Sequence, residues 1–573
     1  MKYTGAQMVI EYAIKEGAPY AVVGLNGHSL FAFLDALYDR QQRIKPIMVK
    51  HEHVATCLAD GYFRATGKPL PVFLHVGPGL LNGLTGIATA SLDSSAMVVF
   101  TGNVWQKDFG RNASQETSRY FDADQCSVIK PYVKRSWNVR SAEALPEILH
   151  KAFKTAVTGR PGPVHIDMSM TVQNEVADVE LPDPAKFSVS SRLRGDIGKI
   201  KAAVELLRSA EKPVMVCGGG ALLSGAAPEV MRLAEILNIP VACAHRGKSI
   251  FPEDHPLSIG LCGAEAKLYT NRVISESDVV LAVGMRFTEP DTSSWAPGAP
   301  FSIPPSKLIH IDIDPDEIAR VYPTEVAIWA DAKSALAEIN EAMGKPSAKG
   351  TERRKEIAKM KEDWEKEFAD KKNSDAVPIR PERLMKELRM ALPRDASVFV
   401  DTGKTKNWGF QQFPAYEPSS YFIGIGFTPM GHAPSAALGV KLARPDKPVV
   451  ALIGDGSYQQ QVWYLSTAVD YDIPVITVIF NDYGFGGIRD TQRSVFNGRF
   501  MCSDMKIDKT GELFNPDFVK MAESYGACGE RVEKPGDIGP AMARAIKSKR
   551  PYVLDMVIDR DVEFPLAKRR KMR

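Results

Sequence analysis

Short apolar runs rich in Val and Ile recur along the chain, each followed by a longer amphipathic stretch. They include YAVVGL (20–25), PVFLHV (71–76), AMVVFTG (96–102), PVHIDM (163–168), PVMVCGGG (213–220), DVVLAVG (278–284), LIHIDI (308–313), SVFVDTG (397–403), PVVALIGDG (448–456) and PVITVIFND (474–482). Within each run the apolar positions are continuous. A strand covered on one face alternates, whereas a strand covered on both faces does not. The pattern therefore predicts mainly parallel sheets with helices on both faces: an α/β chain that repeats this architecture more than once.

Two interruptions divide the pattern. DVELPDPAKFSVSSRLRG (178–195) sets Pro182 and Pro184 among polar residues and reads as a linker. Residues 344–378 carry the densest charge, with mixed signs at i,i+4 spacing, and read as a solvated connecting helix. Three domains are expected, at 1–180, 190–345 and 375–573. The length of 573 residues agrees, since about 150 residues per domain gives roughly three or four.

Composition narrows the function classes. The 72 basic and 69 acidic side chains leave a net charge of +3, too near neutral for a nucleic-acid surface. No apolar run approaches the ~18 residues of a membrane span, and Glu11, Lys15 and Glu16 interrupt the N-terminal stretch where a signal peptide would be apolar. The seven cysteines are scattered and never spaced as CxxC, so neither a disulfide framework nor a zinc site is expected, and a cytoplasmic home is. The basic end (Lys568, Arg569, Arg570, Lys571, Arg573) reads as a solvated tail.

The strongest local chemistry is VVALIGDGSYQQQVWYLSTAVDYDIPVITVIFNDYG. A buried strand runs into Gly454, Asp455, Gly456 and Ser457 ahead of a helix. Glycines admit a phosphate close to the backbone, and a helix N-terminus offers free N–H groups. A second buried strand ends at Asp482, with Tyr483 and Gly484 following. The intervening helix would bring both strand ends to one edge of the sheet, where such folds bind ligands. Asp455, Asp482 and a carbonyl near Gly484 could then give oxygens to Mg²⁺. GDG alone also describes an ordinary strand-to-helix turn.

This GDG…ND pattern resembles the cofactor motif of thiamine diphosphate (ThDP) enzymes, whose second member is more often Asn-Asn; Asp482 keeps an oxygen but adds a charge. The resemblance extends through HEHVATCLADGYFRATGKP, HVGPGLLNGLTGIATASLDSSAMVVFTGNV, GRPGPVHIDM and VGMRFTEPD to the acetolactate synthase and benzoylformate decarboxylase superfamily. It implies pyrimidine-binding, central and diphosphate-binding domains, in that order. It also implies that Glu52 promotes the imino tautomer of the cofactor and so generates the C2 ylid, and that Met430 bends the two rings into a V. An enamine intermediate then forms. Active sites between two chains follow, in a homodimer or homotetramer.

His28, in the turn GLNGHS, and His75, in LHVGPG, resemble pocket histidines of benzaldehyde lyase and benzoylformate decarboxylase, and imidazoles suit proton relay. His51 and His53 read as support for a helix start, and His432 as a weaker pocket residue. The match to acetolactate synthase departs at Tyr120, Phe121 and Asp122, and again at Thr491, so a 2-oxo acid decarboxylase, acyloin lyase or carboligase is expected, with a 2-oxo acid, acyloin or aldehyde as substrate. An acetolactate synthase-type carboligase remains the alternative. FAD stays an open second cofactor: the central segments, with Arg286 and Asp312, resemble those that hold FAD, although many relatives use the same fold without it. An oxidoreductase built on CGGGALLSG and a non-catalytic paralogue are the readings of other classes.

Overall fold

The computed structural model describes residues 2–116, 124–344 and 350–565. Tyr120, Phe121, Asp122 and the basic tail lie outside the described residues. Three six-stranded parallel sheets follow one another along the chain. The first runs in the order Lys45–Met48, Tyr20–Val23, Pro71–Leu74, Val98–Asn103, Val164–Ser169, Ser136–Asn138. The third runs Tyr421–Ile423, Ser397–Val400, Val449–Gly454, Ile476–Asn481, Tyr552–Val557, Cys528–Val532. Numbered by chain position, both read 2-1-3-4-6-5, so the first and last units share one topology. The central sheet differs. Its order of Ser258–Leu261, Val241–Cys243, Pro213–Cys217, Val279–Val283, Lys307–Asp312, Val326–Trp329 reads 3-2-1-4-5-6, the order of doubly wound dinucleotide folds.

The continuous apolar runs become strands buried along their whole length, as in Val98–Asn103, Val164–Ser169 and Ile476–Asn481. Alternation would leave one face of such strands polar against a helix. Because the strands are parallel, their carboxyl ends share one edge of each sheet, and the functional loops collect there.

The helix Glu52–Thr66 couples the first sheet to the third. It starts where His51 Nδ1 accepts the His53 N–H over 3.2 Å and ends at Gly67, whose φ of +72° suits glycine. It lies against the helix His432–Ala443 at backbone contact. A Cβ on Gly61 would sit 1.9 Å from the Ala436 carbonyl oxygen, and one on Gly439 would sit 1.9 Å from that of Leu58. Beside this crossing Arg64 is buried between Asp60 (2.7 Å) and Asp93 (2.9 Å). Asp60 is held low by Arg64 and His432, which outweigh the cost of its burial.

The charge-dense stretch forms the helix Thr351–Lys372, but it is more than a solvated connector. Its buried residues Ile357, Trp364 and Phe368 join the apolar cluster of the central sheet. Among the described residues no helix is long and apolar enough to cross a membrane.

Candidate active site

Three adjacent strands of the first sheet deliver three of the expected residues to one mouth. Glu52 follows Lys45–Met48, His28 follows Tyr20–Val23, and His75 follows Pro71–Leu74. The Glu52 carboxylate is buried yet satisfied. Its Oε1 accepts from the Leu25 N–H at 3.2 Å, and its Oε2 accepts from Asn82 Nδ2 at 3.0 Å. The glycine of the first loop is forced by this approach, since a Cβ on Gly24 would lie 2.7 Å from Glu52 Cγ.

The two histidines meet edge to face, with ring centroids 5.0 Å apart. His75 is fixed at both nitrogens, Nδ1 to Ser29 Oγ and Nε2 to Gln115 Oε1, each at 2.7 Å. Its ring fills the space where a Cβ on Gly27 would lie, 2.4 Å from Cε1. Among the described residues His28 has no such fixed pair. Burial, and then the facing His75, lower its pKa, so it is a neutral imidazole at pH 7.

The other half of the candidate site lies at the carboxyl edge of the third sheet. Val449–Gly454 delivers Asp455 and the adjacent Ile476–Asn481 delivers Asp482. Both carboxylates are buried, and Gly484 N–H donates to Asp455 Oδ2 at 3.2 Å, which ties the two strand-end loops together. The helix after the first loop is short, Asp455–Gln459, with Gly456 and Ser457 inside it and Gly454 preceding it. Gly456 has no room for a side chain, because a Cβ would meet the Phe485 ring at 2.5 Å. Met430 stands beside this loop, its Sδ 3.6 Å from Gln460 Nε2. Among the described residues no hydrogen bond or ion pair joins Glu52, His28 or His75 to Asp455, Asp482 or Met430. The two groups of residues stand on two different sheets.

Burial first, and then the facing Asp482, push the Asp455 carboxyl up; burial pushes Asp482 up as well, against Lys404, Arg560 and Arg489. Lys404 is the cation that sequence reasoning missed. It follows the strand Ser397–Val400, is 7 % exposed, and pairs with Asp490 at 3.1 Å. Asn82, Gln115 and Asn515 were missed too. Asn515 Nδ2 bonds both Asp455 Oδ2 (2.8 Å) and Asn481 Oδ1 (2.9 Å). The signal for Lys404 was the strand-end loop DTGK, placed one strand away from GDG.

Three domain signatures cover most of the chain: "Thiamine pyrophosphate enzyme, N-terminal TPP binding domain" over residues 3–127, the central domain over 200–339, and the C-terminal TPP binding domain over 401–556. The chain is 35% identical to a probable acetolactate synthase large subunit of Methanocaldococcus jannaschii, with 98% of this chain and 93% of the relative covered. It is 32% identical to acetolactate synthase isozyme 3 large subunit of Escherichia coli, over 97% of this chain and 95% of the relative. The chain belongs to the thiamine pyrophosphate enzyme family. It is a ThDP-dependent enzyme of the acetolactate synthase and benzoylformate decarboxylase superfamily, with three α/β domains in the order of that family.

The residues present fit the diphosphate end of ThDP and its metal. A Cβ built at Gly403 meets nothing within 4 Å, and one at Gly454 meets only Thr405 Oγ1 at 3.7 Å, so space remains beside both loops. Asp455 and Asp482 are buried carboxylates at this edge, hard oxygen donors of the kind Mg²⁺ takes.

A cavity of about 650 Å³ lies where the strand order of the central sheet of this ThDP enzyme reverses, and the first and third domains close it with Asp93, Arg160 and Lys406. Arg246, Arg286 and Asp312 line it. The glycine run beside it is explained by protein packing. A Cβ on Gly218 would lie 2.1 Å from the Gly284 carbonyl oxygen, so these glycines let two loops touch.

Proposed function

We propose that this enzyme uses ThDP and Mg²⁺ to cleave or form a C–C bond adjacent to a carbonyl, acting on a 2-oxo acid, acyloin or aldehyde. When bound, ThDP supplies a nucleophilic carbon that adds to a carbonyl and then stabilises the carbanion left behind. The observation that carries the reading is the mouth of the first sheet. A buried carboxylate held by two donors lies beside a pair of histidines, one fixed and one free to exchange a proton.

In this reading Glu52 holds the proton relay to the cofactor, His28 moves a proton at the substrate oxygen, and His75, held at both nitrogens by Ser29 and Gln115, lines the pocket and positions His28. Asp455, Asp482 and the Gly484 carbonyl hold Mg²⁺. Gly454, Gly456 and Ser457 border the diphosphate, and Met430 supports the rings. Among the described residues no hydrogen bond or ion pair joins the two groups within one chain, which supports completion of each site by a second chain, in a homodimer or homotetramer, working in the cytoplasm.

A second reading, an acetolactate synthase-type carboligase with FAD, is favoured by the names of the relatives and by the central cavity. Its position at the topological switch point and its size suit a dinucleotide. Thr491 lies on the helix Gly486–Val495, where the departure from acetolactate synthase was read, and donates to the Gly487 carbonyl oxygen at 3.1 Å.

The test is product analysis of the purified protein with ThDP, Mg²⁺ and a panel of 2-oxo acids, with and without aldehyde acceptors. Aldehyde or acyloin product supports the first reading. An acetolactate formed from 2-oxo acids alone, by a protein with a flavin absorbance, selects the second. No turnover with any donor overturns both.

A further inference from the structure

Behind the Glu52 mouth, where the helices Glu52–Thr66 and His432–Ala443 cross, three side chains with metal-ligand chemistry converge. His53, Cys57 and His432 each place one possible donor atom in a common cluster, with all three atoms within 4.8 Å of one another. His53 and Cys57 are i,i+4 neighbours on one helix face, and His432 comes from the diphosphate-binding domain. All three are buried.

We propose that these residues form a binding site for a thiophilic divalent cation of the zinc class, clamping the first domain to the third. Three independent observations carry it. The first is spacing. Zn–S of about 2.3 Å and Zn–N of about 2.0 Å set S and N ligands about 3.5 Å apart around a tetrahedral ion; Cys57 Sγ and His432 Nδ1, hydrogen-bonded to each other at 3.2 Å, need part only slightly to admit one. The second is the outer partner. His432 Nε2 lies 2.8 Å from Asp60 Oδ2. That carboxylate takes the Nε2–H, leaving Nδ1 as the lone-pair donor toward the site, the arrangement metal-bound histidines adopt. The third is an orphan. Among the described residues His53 Nε2 has no hydrogen-bond partner although the ring is buried, so this histidine carries an uncommitted polar atom beside the cluster.

Burial first, and then Asp60 and Asp401 against Arg64, push the Cys57 thiol up, so without a metal it stays protonated and hydrogen-bonded to His432; a bound cation is what draws that proton off. Binding replaces the Cys57 S–H bond with an S–Zn bond, releases that proton to solvent and transfers no electron. One thiolate and two neutral imidazoles leave a single positive charge on the complex. The chain supplies three ligands, and water takes the fourth position. Hard Mg²⁺ is a poor match for sulfur and nitrogen.

The experiment is a Zn²⁺ titration of the untagged, full-length protein in the absence of ThDP, against a competing chromophoric chelator, with excess Mg²⁺ present. The expected result is stoichiometric zinc uptake that Mg²⁺ leaves intact and that His53→Gln and Cys57→Ser both abolish, while far-UV circular dichroism is retained. Zinc uptake equal in the wild type and both variants overturns the proposal, as does no uptake at all. If a variant fails to fold, Co²⁺ loading of the wild type decides. A sulfur-to-cobalt charge-transfer band is expected, and its absence overturns the site. Because ThDP is left out, failure here is separate from failure of the proposed reaction.

Discussion

Asn82 reaches from the helix Pro78–Leu92 and donates its side-chain amide to Glu52 Oε2 across 3.0 Å, while the Leu25 N–H holds the other oxygen. The carboxylate is therefore aimed by two elements that follow two other strands. Glu52→Gln keeps the shape and removes the acid–base function, so kcat should fall by about 10²–10⁴ with the circular dichroism unchanged. Asn82→Ala should cost about ten- to a hundredfold, the worth of a hydrogen bond to a charged group. Undiminished steady-state rates in Glu52→Gln would remove Glu52 from the chemistry.

The histidine pair should govern selectivity. His75 is held by Ser29 and Gln115, whereas His28 leans on its ring edge. His28→Ala and His75→Ala are expected to change product ratio and substrate range more than unfolding temperature. Gly27→Ala offers a third route to the same result, because its new Cβ would strike the His75 ring and displace it. Kinetics unchanged in all three variants would return both histidines to a purely structural part.

Asp455 and Asp482 pull in different directions with and without metal. Asp455→Ala should abolish Mg²⁺-dependent ThDP retention in calorimetric titration. Asp482→Asn keeps an oxygen but relieves a buried like-charge pair, so the metal-free protein should unfold at a higher temperature while Mg²⁺ binds more weakly. A metal-free Asp482→Asn variant less stable than the wild type would show that Lys404 and its neighbouring cations already cancel the repulsion.

Much of this was legible in the residues, for a physical reason. Strands buried on both faces must be apolar throughout, so PVFLHV and PVITVIF announce themselves, and the residue after such a strand lands at the ligand edge. Asp455 and Asp482 were read that way; Glu52 and His75 also stand at such strand ends, but it was the resemblance to ThDP enzymes that singled them out. Asn82, Gln115, Lys404 and Asn515 were not, because each is a single polar side chain on another helix or loop whose distance to the site is fixed only by packing. The His53–Cys57–His432 cluster shows the limit clearly. Counting CxxC spacings misses it, since one ligand stands on a helix of a different domain and the fold alone makes them neighbours.

Gly61 should be intolerant of any side chain. A Cβ there would sit 1.9 Å from the Ala436 carbonyl oxygen, which is backbone and cannot rotate away. Gly61→Ala must push the two helices apart, an overpacking cost of about 1–3 kcal/mol. Denaturant unfolding followed by fluorescence should show the lowered midpoint. The helices Glu52–Thr66 and His432–Ala443 also position Glu52 and Met430, so activity should fall with it. A midpoint equal to wild type would mean the crossing is looser than the geometry shows.

His245 predicts the alkaline side of the stability profile. Its ring is buried, which alone would lower its pKa, but Nδ1 pairs with Asp291 at 2.6 Å and Nε2 with Glu265 at 2.9 Å, and together these raise it to about 9. Glu265 also pairs with Lys406 at 3.0 Å, so the cluster joins the central domain to the third. The folded pKa lies above the ordinary 6.5, so the unfolded chain binds fewer protons through this window. The contribution is complete below about pH 6.5 and is lost as pH rises toward about 9. The unfolding midpoint of the wild type should therefore decline between those values, and His245→Gln, which has no proton to lose, should start lower and decline less. An equal decline in both proteins would assign the alkaline sensitivity to other groups.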